Sequence, residues 1–342
     1  MDLQVPLKLP IADLHCDLLW YLSLDPKRTA YDLQARCAIP QLKNGHVKIQ
    51  TMAIFVETNA GSVENGLAQA NIFKELPKKY PDVFYNVGKF QDSDVLNEME
   101  DSSKIGILAA VENASAFCAE NEDLMSAMKR MTEIQKKIGK FLYLSLTWNT
   151  ENRFGGGTLT KIGLKDDGKQ LVDYLCERKI ALDLSHTSDY LAFDLLNYIE
   201  KKGLQIPLMA SHSNMRAVTN VPRNLPEEIA KEIIKRKGII GVNFVRYFLG
   251  SDSPQSFCKQ LEHVINLGGG KNICFGADFF CIEDLPIESQ KPLDVLFFPD
   301  FNEAGSYGRV LELWRKNLKL DDELLKNICY KNYQRFFKQV FI

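Results

Sequence analysis

The side chains able to do chemistry in this chain are few and far apart. His15, His186 and His212, three of the five histidines, each close or closely follow a short apolar run. So do three carboxylates, Asp17, Glu112 and Asp278. His15 and Asp17 come first, in Ala12-Asp13-Leu14-His15-Cys16-Asp17. Side chains alternate along an extended strand, so these two share a face while Leu14 and Cys16 take the other. An imidazole and a carboxylate so placed can hold one divalent cation between them. Alone, a His-x-Asp triplet is more readily a polar strand end; its meaning depends on what the rest of the chain brings to it.

Eight short apolar runs read as strands, at about 11–16, 47–56, 105–111, 141–146, 180–184, 206–210, 238–242 and 273–275. Between most of them lie segments of helical spacing, at 63–76 (ending at Pro77), 91–103, 122–138, 167–178, 188–201, 226–237 and 254–267. Two more helices, at 302–318 and 321–338, finish the chain. This alternation predicts a (β/α)8 TIM-like barrel in one domain spanning 1–342. A doubly wound open sheet has the same rhythm, but no G-x-G-x-x-G follows the first strand.

In a barrel the carboxyl ends of the strands converge on one rim, where active sites are built. His15 and Asp17 follow the first strand, Glu112 the third, His186 the fifth, His212 the sixth and Asp278 the eighth. Asn243 follows the seventh, where capping a loop is its plainer use. His46 precedes the second strand and His263 lies inside a helix, so both are expected to be structural. Imidazole and carboxylate donors suit zinc or a similar ion, and one carboxylate can bridge a pair. His15 and Asp17 would complete one site, His186 and His212 the other, with Glu112 shared. Water held between two such ions would attack a polarised carbonyl, and Asp278 would carry the proton to a leaving amine. Arg223, in a loop after His212, could grip a substrate carboxylate.

Other features set bounds. A net charge of −2 gives no footprint for nucleic acid or an anionic membrane. No basic start with an apolar run and cleavage site opens the chain, and no window reaches the length of a membrane span. The eight cysteines are scattered without a C-x-x-C, so free thiols and a cytoplasmic location are expected. Gly268-Gly269-Gly270-Lys271 ends a helix and reads as a cap rather than a phosphate loop. Gly155-Gly156-Gly157 reads as a flexible active-site loop, and Cys16, facing away from His15, is not a nucleophile.

Taken together, the motifs resemble those of the renal (membrane) dipeptidase family, binuclear zinc peptidases with an amidohydrolase-like barrel. The matching segments are Asp13-Leu14-His15-Cys16-Asp17, Ala110-Val111-Glu112-Asn113, Leu146-Thr147-Trp148-Asn149, Asp183-Leu184-Ser185-His186-Thr187-Ser188, Ala210-Ser211-His212-Ser213, Arg223-Asn224 and Phe275-Gly276-Ala277-Asp278-Phe279. Near the C-terminus, Asn332-Tyr333-Gln334-Arg335-Phe336-Phe337 is similar to the family's closing Asn-x-x-Arg-x-Phe. The resemblance implies two Zn2+ ions per chain: one held by His15 and Asp17, the other by His186 and His212, with Glu112 bridging. It makes Asp278 the acid/base residue and Arg223 the grip on the substrate's C-terminal carboxylate.

The implied reaction is dipeptide hydrolysis, often with a D-residue at the C-terminal position. The partner is then a small dipeptide rather than nucleic acid or membrane, and a homodimer is compatible with it. Mammalian members carry a His after the fourth strand where this chain has Trp148, a pattern associated with bacterial relatives. Trp148, like Asn243, is therefore expected to shape the substrate pocket. Phe279-Phe280-Cys281 also departs from the family's usual Asp-Gly after the catalytic Asp. Two competing readings remain. One is an amidohydrolase for an N-acyl amino acid, a cyclic amide or a lactone, although no Lys lies in 143–149 to serve as a carboxylated bridge. The other is a catalytically impaired metal-binding barrel.

Overall fold

A computed structural model describes residues 8–89, 94–250, 253–285 and 293–342. Among the described residues nine strands form one sheet: β1 (Ile11–Cys16), β2 (Val47–Phe55), β3 (Phe84–Asn86), β4 (Ile105–Glu112), β5 (Tyr143–Ser145), β6 (Ala181–Asp183), β7 (Leu208–Ala210), β8 (Ile239–Val242) and β9 (Ile273–Phe275). Their order is β2-β1-β9-β8-β7-β6-β5-β4-β3, and β2 also pairs with β4. That last pairing, parallel from Ile49 opposite Gly106 to Phe55 opposite Glu112, closes an eight-stranded barrel. The expected (β/α)8 architecture is the one observed. Its strands are mainly apolar because both faces are covered: every residue of β4 is buried.

β3 is the strand the sequence pattern does not announce. It pairs with Ile105–Ile107 at the start of β4, below the point where β5 joins Val111 and Glu112. β5 has only three residues, so the lower half of that edge of β4 would be bare without it. A second unannounced element is the helix Leu18–Leu24, whose Leu-Leu-Trp-Tyr-Leu carries no helical alternation. The expected helix at 63–76 runs from Ser62 to Lys79 and passes through Pro77, the Tyr80 N–H closing on the Leu76 carbonyl. The helix expected at 91–103 is Asp94–Asp101 where it is described, and 90–93 lie outside the described residues. The last segment bends through a π-helical turn, Asn327–Lys331, between Asp322–Lys326 and Asn332–Phe341. It packs under the barrel, with the Tyr333 hydroxyl 2.8 Å from Thr51 Oγ1 on β2. Among the described residues no helix is long and apolar enough to cross a membrane.

The first strand is tied to its neighbours by Asp13, fully buried on β1. Its carboxylate accepts from the His15 N–H (2.8 Å), Gln50 Nε2 on β2 (3.0 Å), the Ala277 N–H after β9 (2.9 Å) and the Tyr307 hydroxyl (2.8 Å). Four donors answer a buried carboxylate, which satisfies it and fixes β1 against both neighbours. Further round, the Ser211 carbonyl at the end of β7 pushes against Gly241 and Gly276. A Cβ on Gly276 would stand 1.9 Å from that oxygen and 3.0 Å from the Gly241 Cα.

Backbone on both sides cannot yield as a flexible side chain would. Gly276→Ala is therefore expected to cost at least about 2 kcal/mol of stability, within the usual range for forced overpacking. Urea unfolding measures it, and an unchanged midpoint would show that this close approach is not required.

Candidate metal centre

All six expected ligand and acid/base groups meet at the carboxyl-end rim. His15 Nε2 lies 3.3 Å from Glu112 Oε2, 3.7 Å from Asp17 Oδ1 and 3.7 Å from Asp278 Oδ1. The other Glu112 oxygen, Oε1, is 2.9 Å from His186 Nε2 and 3.5 Å from His212 Nε2. The donors form three clusters with atoms within 4.8 Å of one another: His15, Asp17 and Glu112; Glu112, His186 and His212; and His15, His212 and Asp278. Glu112 thus faces two groups with its two oxygens. The remaining histidines stay out of it: His46 Nδ1 pairs with the Leu9 carbonyl at 2.8 Å, and His263, inside the helix Gln255–Asn266, lies 3.3 Å from Glu227 of another helix.

Local backbone explains how the groups arrive. Asp17 leaves β1 and caps the helix Leu18–Leu24 with φ −100° and ψ 28°, so strand alternation alone does not pair it with His15. Its N–H is held by the Phe279 carbonyl at 3.1 Å. Asn113, His186 and Asp278 all take left-handed backbone, at φ 77°, 64° and 62°, a conformation costly for residues with a Cβ and often kept at functional sites. Asn113 steadies the turn behind Glu112 by donating to the Val56 carbonyl at 2.9 Å and accepting from the Ser115 N–H at 3.1 Å. The glycine loop is packed rather than loose. Gly157 bridges Thr187, the Thr158 N–H bonds the His186 carbonyl at 2.9 Å, and a Cβ on Gly157 would meet the Trp148 carbonyl at 2.0 Å. Glycine here serves close approach instead of flexibility.

Each imidazole has its second nitrogen anchored. Tyr143 is within hydrogen-bond distance of the Leu14 carbonyl (3.2 Å) and of His15 Nδ1 (2.7 Å). With the phenol proton on that carbonyl, its oxygen accepts from Nδ1–H. Asn149 Oδ1 accepts from His186 Nδ1 at 2.9 Å. Ser211 Oγ lies 2.7 Å from His212 Nδ1. All three Nε2 atoms are thereby left as lone-pair donors aimed inward, the arrangement that metal-ligating histidines share. His186 Nε2 and His212 Nε2 stand 2.9 Å apart, and two lone pairs facing each other call for a cation or a proton. His15 Nε2 and Asp17 Oδ1 are buried without a hydrogen-bond partner. These orphaned atoms fit a divalent ion.

The electrostatics agree for two of the three imidazoles. Burial, then nearby positive charge, hold His186 and His212 well below their ordinary values, in the neutral ligating form. Burial pushes Glu112 up to about 7 and Asp278 up to about 6, with His15 opposing both. For His15 itself burial pushes down, but Tyr143, Glu112 and Asp17 carry it well above its usual value. The carboxylates are asking for positive charge.

The rest of the rim is as follows. Asn243 Nδ2 donates to Asp278 Oδ2 at 2.8 Å and to the His212 carbonyl at 3.2 Å, while its Oδ1 accepts from the Val245 N–H at 2.7 Å. Arg223 is buried, donating to Ser213 Oγ (2.8 Å) and the His212 carbonyl (3.0 Å), with Nε unpartnered. Trp148 is half-buried, its ring 6.0 Å from that of His186 and edge-on to Phe55 at 5.1 Å. Phe55 in turn meets Trp20 at 5.4 Å. Tyr143, Asn149 and the Asp183–Ser211 pair escape sequence reasoning, because a tyrosine in an apolar run and short polar loop residues look structural. Asp183 does stand immediately before a leucine-serine-histidine triplet, three residues ahead of His186, which was the available signal.

A closed parallel barrel whose rim gathers imidazoles and carboxylates around buried unpaired donors is the architecture of a metal-dependent hydrolase. The sequence profile of the membrane dipeptidase family (peptidase family M19) matches residues 3–341, and the chain belongs to that family. A curated relative, an uncharacterized protein in the pqqA 5' region of Klebsiella pneumoniae, is 26% identical over 252 residues, covering 69% of this chain and 82% of that protein. Two solved structures share the fold. A metallopeptidase from Rhodobacter sphaeroides, liganded with a phosphinate mimic of L-Ala-D-Ala, is 19% identical with a TM-score of 0.79, covering 97% of this chain and 99% of that one. Dipeptidase AC, a metallopeptidase of the same family, is 20% identical with a TM-score of 0.80, covering 98% and 99%.

A cation that binds the folded protein and not the unfolded chain stabilises it by RT ln(1 + [L]/Kd), about 2.7 kcal/mol at a hundredfold excess over Kd. Added Zn2+ should therefore raise Tm by several degrees, and His186→Ala should blunt that rise. A Tm indifferent to zinc, manganese and cobalt would exclude a metal centre here.

Proposed function

We propose that the protein is a zinc-dependent dipeptidase that hydrolyses the single peptide bond of dipeptides, L-Xaa-D-Xaa among them. The observation that carries this reading is Glu112, whose Oε2 turns to His15 while Oε1 turns to His186 and His212. On this reading His15, Asp17 and Glu112 hold one ion, and Glu112, His186 and His212 hold the other. Divalent ions bound there supply Lewis-acid polarisation of the scissile carbonyl and acidify a water to near-neutral pH.

Asp278 is the proton carrier. Asn243 holds its Oδ2, so Oδ1, the oxygen turned toward His15, is the one free to take a proton from the attacking water and pass it to the leaving amine. Asn243 has both amide protons and its oxygen committed to protein groups, which suits a residue that orients Asp278 rather than one that binds substrate. Arg223 offers donors beyond the two it has spent, including the unpartnered Nε, and in its buried setting a substrate carboxylate is the natural acceptor. Trp148, with Phe55 and Trp20 behind it, gives an apolar wall beside His186 against which a substrate side chain can pack. The phosphinate L-Ala-D-Ala mimic bound by the Rhodobacter sphaeroides protein supports a dipeptide of that stereochemistry as substrate. All eight cysteines are free, which fits a reducing compartment such as the cytoplasm.

A panel of L-L and L-D dipeptides, their C-terminal amides and N-acyl amino acids tests the substrate class in the presence of zinc. Free dipeptides should be cleaved and the amides, which give Arg223 nothing to grip, should be poor substrates. Turnover confined to N-acyl amino acids would replace the dipeptidase reading with that of another amidohydrolase.

Asp278→Asn cannot accept a proton, and removing general acid–base catalysis typically costs 10²–10⁴-fold in rate. A fall of about that size in kcat, with two zinc equivalents still bound, is expected. Undiminished kcat would take the proton-carrying role away from Asp278.

A further inference from the structure

Below the metal centre lies a second buried carboxylate that the chemistry above does not use. Asp183 closes β6 and is wholly buried. Four donors converge on it: Ser145 Oγ (2.6 Å) and Ser211 Oγ (2.7 Å) at Oδ2, and the N–H groups of Ser211 (2.7 Å) and Ser185 (3.2 Å) at Oδ1. A carboxylate is an acceptor only, so the short contact from Ser211 Oγ must carry the serine proton. A hydroxyl has one proton. Having given it to Asp183, Ser211 can meet His212 Nδ1, 2.7 Å away, only as an acceptor. His212 must then bear its proton on Nδ1 and present a bare Nε2 to Glu112 and His186.

We propose that Asp183 is a positioning residue which, through the Ser211 hydroxyl, fixes His212 as the Nδ1–H tautomer and keeps its Nε2 lone pair aimed into the metal centre. The proposal rests on the metal-centre reading for its consequence but not for its geometry, which is made wholly of this chain's atoms. The direction of every proton in the relay follows from Asp183 being unable to donate. An amide at that position could donate to Ser211 Oγ, releasing the serine proton toward His212 Nδ1. That would switch the imidazole to its Nε2–H tautomer and place an N–H where a cation should sit. His15 and His186 have separate anchors, Tyr143 and Asn149, so the effect should fall on one of the two ions.

Two measurements on the full chain test this. In the chelator-treated protein, long-range 15N–1H spectra of the imidazoles should show His212 as the Nδ1–H tautomer, and Asp183→Asn should shift it toward Nε2–H. In zinc titrations, Asp183→Asn and Ser211→Ala should each weaken one of two ions by about 10–100-fold and leave the other unchanged. Ser211→Thr, which keeps the hydroxyl, should stay near the native isotherm. The Ala and Thr variants leave Asp183 in place, so the comparison stands even where Asp183→Asn fails to fold. A native His212 in the Nε2–H form, or native zinc affinity in Ser211→Ala, would overturn the proposal. Were the native protein to bind no zinc, the metal-centre reading would fall, and the imidazole spectra would still decide the relay.

Discussion

Three carboxylates share a space nearly closed to water, and the fold around them makes sense only if positive charge sits among them. Two like charges about 4 Å apart at an effective dielectric of 20 repel by about 4 kcal/mol. Burial alone already pushes Glu112 and Asp278 upward. A chain could relieve this with a lysine or by letting water in. This one instead brings three imidazoles whose outer nitrogens are tied to Tyr143, Asn149 and Ser211, so that their inner nitrogens face the carboxylates. Burial keeps His186 and His212 neutral, and only His15 is pushed toward the charged form. The rest of the compensating charge is left to a cation. A site built this way is organised before anything binds, and little rearrangement opposes binding.

That organisation has a conformational cost. Asn113, His186 and Asp278 each occupy left-handed backbone, worth roughly 1–3 kcal/mol apiece. The strain persists because neighbouring elements over-determine each turn. Asn113 is held from β2 and its own turn, the His186 carbonyl by the Thr158 N–H, and Asp278 by Asn243. Each brace comes from a different part of the chain, and the barrel is what brings those parts together. The Asp13 knot, joining β1, β2, the start of the loop after β9 and the Tyr307 helix, has the same character.

Most of the ring was legible because barrel strands, buried on both faces, announce themselves as short apolar runs. β3 did not, since three residues supported mainly by the lower edge of β4 need no such run. The helix Leu18–Leu24 hid for the opposite reason: nearly every position is apolar, and a helix without a polar stripe has no period to read. Glu112, His186, His212 and Asp278 were legible through their offset from strand ends, and His46 and His263 were set aside by the same rule. The partners that aim these groups were not. Tyr143 is one more aromatic in a buried run, and the serine at 211 has the look of any loop serine. What gives them a purpose is contact across the barrel, which sequence order conceals.

The same contacts bear on substrate size. Arg223 donates to the carbonyl of His212, itself one of the imidazoles of the centre, and to the hydroxyl of the adjoining Ser213. Ser213 in turn meets Ser185 at 2.9 Å, beside the turn that presents His186. The guanidinium is therefore not merely near the candidate metal centre but bonded to the turn that carries one of its imidazoles, and the two cannot drift apart independently. The loop behind it is equally fixed: Arg216 pairs with Asp189 at 2.6 Å, and Asn224 donates to the Thr219 and Phe248 carbonyls. On the dipeptidase reading, a rigid spacing between the group that holds a terminal carboxylate and the group that polarises a carbonyl acts as a ruler. A longer peptide would then have to place its carboxylate away from Arg223 or its scissile bond away from the imidazoles, so on that reading the rigid bonding of Arg223 itself disfavours longer chains.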